Sequence, residues 1–180
     1  ARGVGHFLCI GVSADNAAQV KALAERYADV DCSVGIHPLD LAPGEAPALD
    51  WLLQELNHPK VVAIGETGLD YYYDHSDRAT QQDLFRRHIA VSRQTGLPLI
   101  VHTRDAEEDT ALILAEEMGK GAFPALIHCF TASASFARQV LELGLTISLS
   151  GIVTFKNAKD LQAIAAELPA DRLLVETDAP

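Results

Sequence analysis

Short apolar runs alternate with amphipathic stretches along the whole chain. Runs rich in Val, Ile and Leu predict buried strands at 6–12, 31–37, 60–66, 98–103, 124–130, 145–150 and 172–178. Between these runs apolar residues recur with helical spacing. Val20, Leu23, Ala24 and Tyr27 show this spacing, and we expect them to form one buried helix face.

Local signals predict where several of the helices begin and end. A side chain that can accept hydrogen bonds from free backbone N–H groups favours a helix start, and glycine favours a helix end. The predicted N-caps are Asp15, Asp77 and Ser133, and the predicted terminators are Gly96, Gly119 and Gly144.

The strict alternation of strand and helix predicts βαβ units around a parallel sheet. Both an open doubly wound sheet and a closed (β/α)₈ barrel have this order. Polar residues end nearly every strand here, which favours a ring of strand ends and therefore the α/β TIM-type barrel. Because seven strand signals are visible, we expect an incomplete barrel. Its first strand is expected before Ala1 and its C-terminal end beyond Pro180, with residues 1–180 forming one domain.

Composition narrows the functional classes. The 180 residues are 48% apolar and 22% charged, which is typical of a globular domain, and no apolar run approaches the roughly 18 residues of a membrane helix. Cys9, Cys32 and Cys129 are widely spaced, so we expect reduced thiols and a cytoplasmic location. The net charge of −11 argues against a broad nucleic-acid footprint but permits local positive charge from bound cations.

Five of the apolar runs end on a side chain that can bind a metal. The residues at these ends are His37, Glu66, His102, His128 and the pair Glu176 and Asp178. The C-terminal ends of parallel strands meet at one face of an α/β protein, where its chemistry is found. The sequence therefore predicts a single site at this face.

Strand alternation and burial separate ligands from neighbours. Cys129 points away from the side that His128 occupies, so its thiol is interpreted as packing. A carboxylate at a buried strand end is costly unless it is paired or metal-bound. Glu66, His102, His128 and Asp178 are therefore the candidate ligands, and a mixture of imidazole and carboxylate suits zinc, manganese, iron or magnesium.

Other polar residues near these strand ends have two interpretations each. His37 either caps a turn or faces a substrate. Arg104 either pairs with Asp105 or Glu108 or binds an anionic group, and the anion is favoured. Tyr71–Tyr73 could stack on nucleobases, but packing within the loop is favoured.

Five motifs resemble those of the TatD-type metal-dependent deoxyribonucleases, in order along essentially the whole chain. They are Gly35-Ile36-His37-Pro38, Gly65-Glu66-Thr67-Gly68-Leu69-Asp70, Pro98-Leu99-Ile100-Val101-His102-Thr103-Arg104, His128-Cys129-Phe130 and Glu176-Thr177-Asp178-Ala179-Pro180. Members of this family are barrels of the amidohydrolase-like group with divalent metals at the barrel mouth.

The resemblance implies a role for each matching residue. Glu66 bridges or binds metal, His102 and His128 are ligands, and Asp178 binds metal and orients or deprotonates water. His37 and Arg104 lie near the substrate phosphate. The family's first strand carries a His-x-His pair that this chain lacks, and we expect that pair in the strand before Ala1.

The main functional hypothesis is a hydrolase that cleaves DNA phosphodiester bonds from 3′ ends. One or two divalent ions (Mg²⁺, Mn²⁺ or Zn²⁺) activate water, Glu66 and Asp178 are the catalytic residues, and single-stranded DNA or a 3′ end is the substrate. No membrane association and no obligate protein partner are expected. Two alternatives are a metal-dependent hydrolase of amide, lactone or ester bonds, aminoacyl-tRNA esters included, and a catalytically silent barrel that binds a partner. Glu66 stands where many related hydrolases carry a modified lysine, which favours the nuclease.

Overall fold

Seven parallel strands alternate with helices in the computed structural model, which describes residues 3–41, 48–73 and 75–179. Each strand pairs with its neighbours in chain order, as eightfold barrels require. The strands are β1 (Phe7–Cys9), β2 (Val30–Val34), β3 (Val61–Asp70), β4 (Leu99–Arg104), β5 (Ala125–Ile127), β6 (Thr146–Leu149) and β7 (Leu173–Val175).

Six α-helices connect or flank these strands. They are α1 (Ala14–Arg26), α2 (Asp50–Glu55), α3 (Arg78–Thr95), α4 (Glu107–Lys120), α5 (Ala134–Glu142) and α6 (Lys159–Glu167). Short 3₁₀ turns follow β2 at Pro38–Asp40 and β6 at Gly151–Thr154, and a third turn at Ala170–Arg172 precedes β7. None of the described helices combines the length and the apolar character that crossing a membrane requires.

The sheet curls into an incomplete (β/α) barrel, which confirms the predicted fold class. Within the described residues, β1 and β7 each pair on one side only. Apolar side chains are correspondingly exposed on these two edge strands, including Phe7 at 50% and Val175 at 83%. The strand expected before Ala1 lies outside the described residues.

The core lies between the sheet and the helices on its outer surface. Phe85 and Ile89 of α3 are fully buried against the apolar side chains of β3 and β4, among them Ile64 and Leu99. This packing anchors β3 and β4, the two strands that carry Glu66 and His102.

Helix boundaries follow the predicted signals with two exceptions. Asp77 accepts a hydrogen bond from Thr80 N at 2.9 Å and Ser133 one from Phe136 N at 3.2 Å, so both N-caps are confirmed. The prediction for Asp15 is wrong, because Ser13 and Asn16 form a reciprocal capping box that starts α1 earlier.

The second boundary exception is Gly119, and the predicted buried face of α1 also requires correction. Gly119 lies inside α4, and Gly121 is the residue that caps it, whereas Gly96 caps α3 as predicted. The expected buried face of α1 is wrong for Leu23 and Tyr27, which are 42% and 44% exposed. Only Ala24 of that face is fully buried, because α1 covers the sheet near its open β1 edge.

Strand β3 is longer than the sequence predicts, and this changes what it presents at the site. Its pairing with β4 shifts register between Ile64 and Thr67 and then continues to Asp70. This shift in register lies beside a close contact between β3 and Gly35, the residue that follows β2. A Cβ on Gly35 would lie 2.5 Å from Gly65 Cα. Only glycine fits there, so the close contact is built into the sequence.

Candidate metal centre

The polar residues predicted from the strand ends lie together at the C-terminal face of the sheet. Glu66 is within β3, His102 within β4, and His128 directly follows β5. His37 follows β2, and Glu176 and Asp178 follow β7. Five strands therefore converge on one group of side chains.

One carboxylate oxygen lies at the centre of this group. Glu66 Oε1 is 2.7 Å from His128 Nε2, 3.1 Å from His102 Nδ1 and 3.2 Å from His37 Nε2. All four side chains are largely buried. Three imidazoles from three different strands thus point at a single acidic oxygen.

Electrostatics make Glu66 strongly acidic despite its burial. Burial alone raises the pKa of this carboxyl, but hydrogen bonds from His102, His128 and His37 outweigh it and hold the pKa well below its usual range. Burial also acts against a charged His128, yet contacts with Glu176 and Glu66 raise its pKa to about 10. The group therefore concentrates negative charge. A metal cation can neutralise this charge in place of a proton.

His37 caps the turn, the first of the two roles that its sequence left open, and it also contacts Glu66. Its Nδ1 accepts a hydrogen bond from Leu39 N at 3.1 Å and so caps the turn after β2. This contact directs Nε2 toward Glu66, and the ring lies edge-on to His102 with centroids 4.4 Å apart. Turn capping thus fixes the orientation of the ring in the site.

Asp70 orients His102 from the opposite side. Its fully buried carboxylate places Oδ2 3.0 Å from His102 Nε2. Gln81 of α3 holds the Asp70 backbone, accepting from its N–H at 2.8 Å and donating to its carbonyl at 3.0 Å. A histidine clamped between two carboxylates presents a fixed nitrogen, as metal-binding histidines with a carboxylate partner do.

Glu176 does the same for His128. Its Oε1 is 3.2 Å from His128 Nδ1 and accepts from Cys129 N at 2.7 Å, while Oε2 accepts from the Ser148 hydroxyl at 2.6 Å. Burial raises the pKa of Glu176, but the hydrogen bonds from His128 and Ser148 outweigh it and lower it overall. Glu176 is therefore held in place as an anion.

Asp178 lies at the exposed rim of the site. Its backbone has a positive φ of 51°, and its carboxylate groups with His128 and Glu176. The neighbouring Cys129 thiol donates to Ser150 Oγ at 3.2 Å. Burial, with Asp178 beside it, raises the Cys129 pKa to about 12, so the sulfur stays protonated and does not offer a thiolate.

Arg104 stands at the end of β4, two residues beyond His102. Its guanidinium lies over the rings of Tyr72 and Tyr73, 4.0 and 4.9 Å from their centroids. Among the described residues, no salt bridge joins it to Asp105 or Glu108. Tyr71 differs from its two neighbours in sequence, because its hydroxyl is bound in the interior.

The donor set fits divalent cations. Two groups of three residues each offer ligand atoms within 4.8 Å of one another. They are His37, Glu66 and His102, and His128, Glu176 and Asp178. Nitrogen donors from imidazole mixed with carboxylate oxygens are the ligands of zinc, manganese and iron sites, and additional oxygens favour magnesium.

The site contains two carboxylates, Asp70 and Glu176, that were not among the predicted ligands. Asp70 lies in the motif after Glu66, but its position depends on the unpredicted extension of β3. Glu176 precedes Asp178 by two residues, so strand alternation already placed the two side chains on one side. That signal could have identified Glu176 as a partner of the site.

Comparisons with known proteins agree with the motifs. Residues 1–180 match the family model described as TatD related DNase. The uncharacterized metal-dependent hydrolase YabD of Bacillus subtilis is 40% identical over 180 residues, which are 100% of this chain and 70% of that protein. The 3′-5′ ssDNA/RNA exonuclease TatD of Klebsiella pneumoniae is 34% identical over 185 residues, covering 100% of this chain and 68% of that protein.

A solved structure shows the same architecture. The crystal structure of the TatD homologue YJJV from Escherichia coli superposes with a TM-score of 0.86 at 33% identity, covering 99% of this chain and 69% of that one. The chain thus spans about 70% of the length of the relatives it matches.

Proposed function

Because the chain belongs to the TatD family of metal-dependent hydrolases, we propose that it cleaves DNA phosphodiester bonds, removing nucleotides from 3′ ends. The observation that carries this proposal is the position of Glu66 Oε1 among the nitrogens of His37, His102 and His128. A buried carboxylate requires partners, and imidazole nitrogens that converge on its oxygen are, together with it, the donors that divalent cations bind.

We assign the metal-binding role to Glu66, His102, His128 and Asp178, which together could hold one or two cations. A bound divalent cation supplies a Lewis acid that lowers the pKa of water and polarises a phosphoryl oxygen. Asp70 and Glu176 act as positioning residues, since each holds one of the two histidines in place.

The remaining residues act on water and on the substrate. Asp178 is exposed at the rim and accepts the proton of the attacking water, because its carboxylate is accessible where Glu66 is buried. His37 follows β2 and contacts Glu66, and Arg104 ends β4; we assign both to the phosphate. Local positive charge from cations and Arg104 offsets the overall charge of −11 for an anionic substrate.

A nucleic-acid substrate is supported by the name of one relative, a 3′-5′ ssDNA/RNA exonuclease. Single-stranded DNA is therefore the substrate to test first. All three cysteines are free thiols, which favours a reducing compartment such as the cytoplasm. We propose no obligate protein partner and no membrane association.

The test is hydrolysis of 5′-labelled single-stranded DNA by the full-length protein, with and without a chelator. We expect nucleotides to be released stepwise from the 3′ end, activity to stop on chelation and return with Mg²⁺ or Mn²⁺, and Asp178→Ala to reduce the rate at least about a hundredfold. Activity that survives both chelation and Asp178→Ala would overturn the assignment. Preferred hydrolysis of amides, lactones or aminoacyl esters in a parallel panel would instead favour the amidohydrolase alternative.

A further inference from the structure

Two tyrosines beside the metal centre are exposed although they neighbour one that is half-buried. Tyr72 and Tyr73 are 57% and 49% exposed. Tyr71, by contrast, donates from its hydroxyl to Asp109 at 2.6 Å and accepts from Gln82 at 2.8 Å. Loop packing therefore explains Tyr71 and leaves the other two rings unexplained.

The two exposed rings are held as a unit with a cation. Their centroids are 4.8 Å apart at an interplanar angle of 88°, and the Arg104 guanidinium lies over both. Stacking by its face leaves the N–H edges of a guanidinium available for an anion. Aromatic rings beside a cation are the elements with which proteins bind single-stranded nucleic acid.

The rings are also tied to the metal centre. The Asp70 carboxylate that contacts His102 also accepts hydrogen bonds from Tyr72 N at 3.0 Å and Tyr73 N at 3.1 Å. On β4, Arg104 lies two residues beyond His102, a separation of roughly 6.6 Å along the strand. The backbone of both tyrosines is therefore held beside the metal centre.

We propose that Tyr72, Tyr73 and Arg104 form a subsite for a nucleobase next to the cleaved phosphodiester. The base stacks on the face of one of the two exposed tyrosines, and the N–H edges of Arg104 bind the adjacent phosphate. This inference rests on the proposed nuclease function. Stacking tolerates every base because each has a π-face, so the subsite selects nucleotides as a class rather than a sequence.

The experiment compares two single-stranded oligonucleotides, one natural and one whose two 3′-terminal nucleotides lack bases. The full-length, metal-loaded protein is assayed with both, and the ratio of their kcat/KM values is measured. Taking the ratio within each variant cancels differences in metal loading and folding. We expect the wild type to favour the natural oligonucleotide at least about fivefold, the lower range for one stacked base.

Variants assign this preference to the rings. The double substitution Tyr72→Ala with Tyr73→Ala should bring the ratio close to one, and the corresponding pair of Phe substitutions should keep it. Tyr27→Ala is the matched control, because Tyr27 is also half-exposed beneath an arginine, Arg26, but lies at the end of α1. It should leave the ratio unchanged.

The outcomes separate this inference from the proposed function. Metal-dependent cleavage of both oligonucleotides with a wild-type ratio near one, or a ratio that the double Ala variant retains, overturns the subsite and leaves the nuclease assignment intact. If the metal-loaded protein cleaves neither of the two oligonucleotides, the nuclease assignment is overturned, and the subsite with it.

Discussion

His88 should make the stability of this protein depend on pH in the acid range. The ring lies on α3 and is fully buried. Its Nε2 accepts a hydrogen bond from Ile36 N at 3.3 Å, and its Nδ1 contacts the Leu84 carbonyl at 2.9 Å, which makes Nδ1 the protonated nitrogen. Ile36 directly precedes His37, so a neutral His88 holds the segment after β2 at the metal centre.

The size of this stability loss follows from the shift in the pKa of His88. Burial lowers the pKa of His88 from 6.5 to about 4, although the contact with the Leu84 carbonyl opposes this effect. The unfolded chain therefore binds a proton that the folded protein rejects between these values. Stability is fully present above the unfolded pKa and is lost as pH falls toward the folded pKa. The loss amounts to about 3 kcal/mol by pH 4 and about 2.5 kcal/mol by pH 4.5.

Urea unfolding of the metal-free protein between pH 4.5 and pH 7 measures this effect. His88→Gln is the matched variant, because its amide can accept from Ile36 N and donate to the Leu84 carbonyl but does not titrate. Subtracting the two unfolding free energies at each pH removes the contributions of other groups. We expect the wild type to lose about 2.5 kcal/mol relative to the variant on acidification. If the difference in unfolding free energy between wild type and His88→Gln stays constant with pH, the pKa of His88 is not lowered by folding.

Three further predictions concern the site and the sheet. Glu176→Gln should weaken Mn²⁺ binding about 10- to 100-fold in calorimetry, as loss of a carboxylate that orients a ligand does. The control Glu167→Gln, at an exposed position, should leave Mn²⁺ affinity unchanged. Equal Mn²⁺ affinities for the two variants would exclude the positioning role of Glu176. Arg104→Ala should raise KM for natural and base-free oligonucleotides alike, with Arg104→Lys between it and wild type; an unchanged KM would remove Arg104 from the phosphate site. Gly35→Ala should lower the free energy of unfolding in urea by about 1–3 kcal/mol, since its Cβ meets the β3 backbone. The control Gly119→Ala, in a helix with open space around it, should be neutral or stabilise by about 1 kcal/mol. Equal stabilities of the two variants would contradict the close contact at Gly35.

The sequence was informative about the strands because their signals are local. A short β-branched run bounded by glycine or charge marks a buried strand, and the residue after the run then lies at the common face. This pattern by itself predicts that Glu66, His102 and His128 lie near one another. Their mutual distances show that the registers of β3, β4 and β5 agree with it.

Features that depend on competition between neighbours were harder to predict. Ser13 rather than Asp15 starts α1, because the partner Asn16 decides which cap forms. The extension of β3 to Asp70 passes Gly68, and a glycine within a strand pattern is a typical signal for a bulge or turn. The exposure of Tyr72 depends on which tyrosine of three finds a partner in the interior, and composition gives no information on that choice.

We propose that Glu66 is the core of a metal site that hydrolyses DNA. The most direct measurement titrates metal-free, full-length protein with Mn²⁺ and records bound metal and single-stranded DNA hydrolysis in the same samples, for wild type and Glu66→Gln. We predict that wild-type activity rises with metal and saturates at one or two equivalents, and that Glu66→Gln loses both tight binding and hydrolysis. A Glu66→Gln variant that binds Mn²⁺ and cleaves DNA like the wild type would contradict the account.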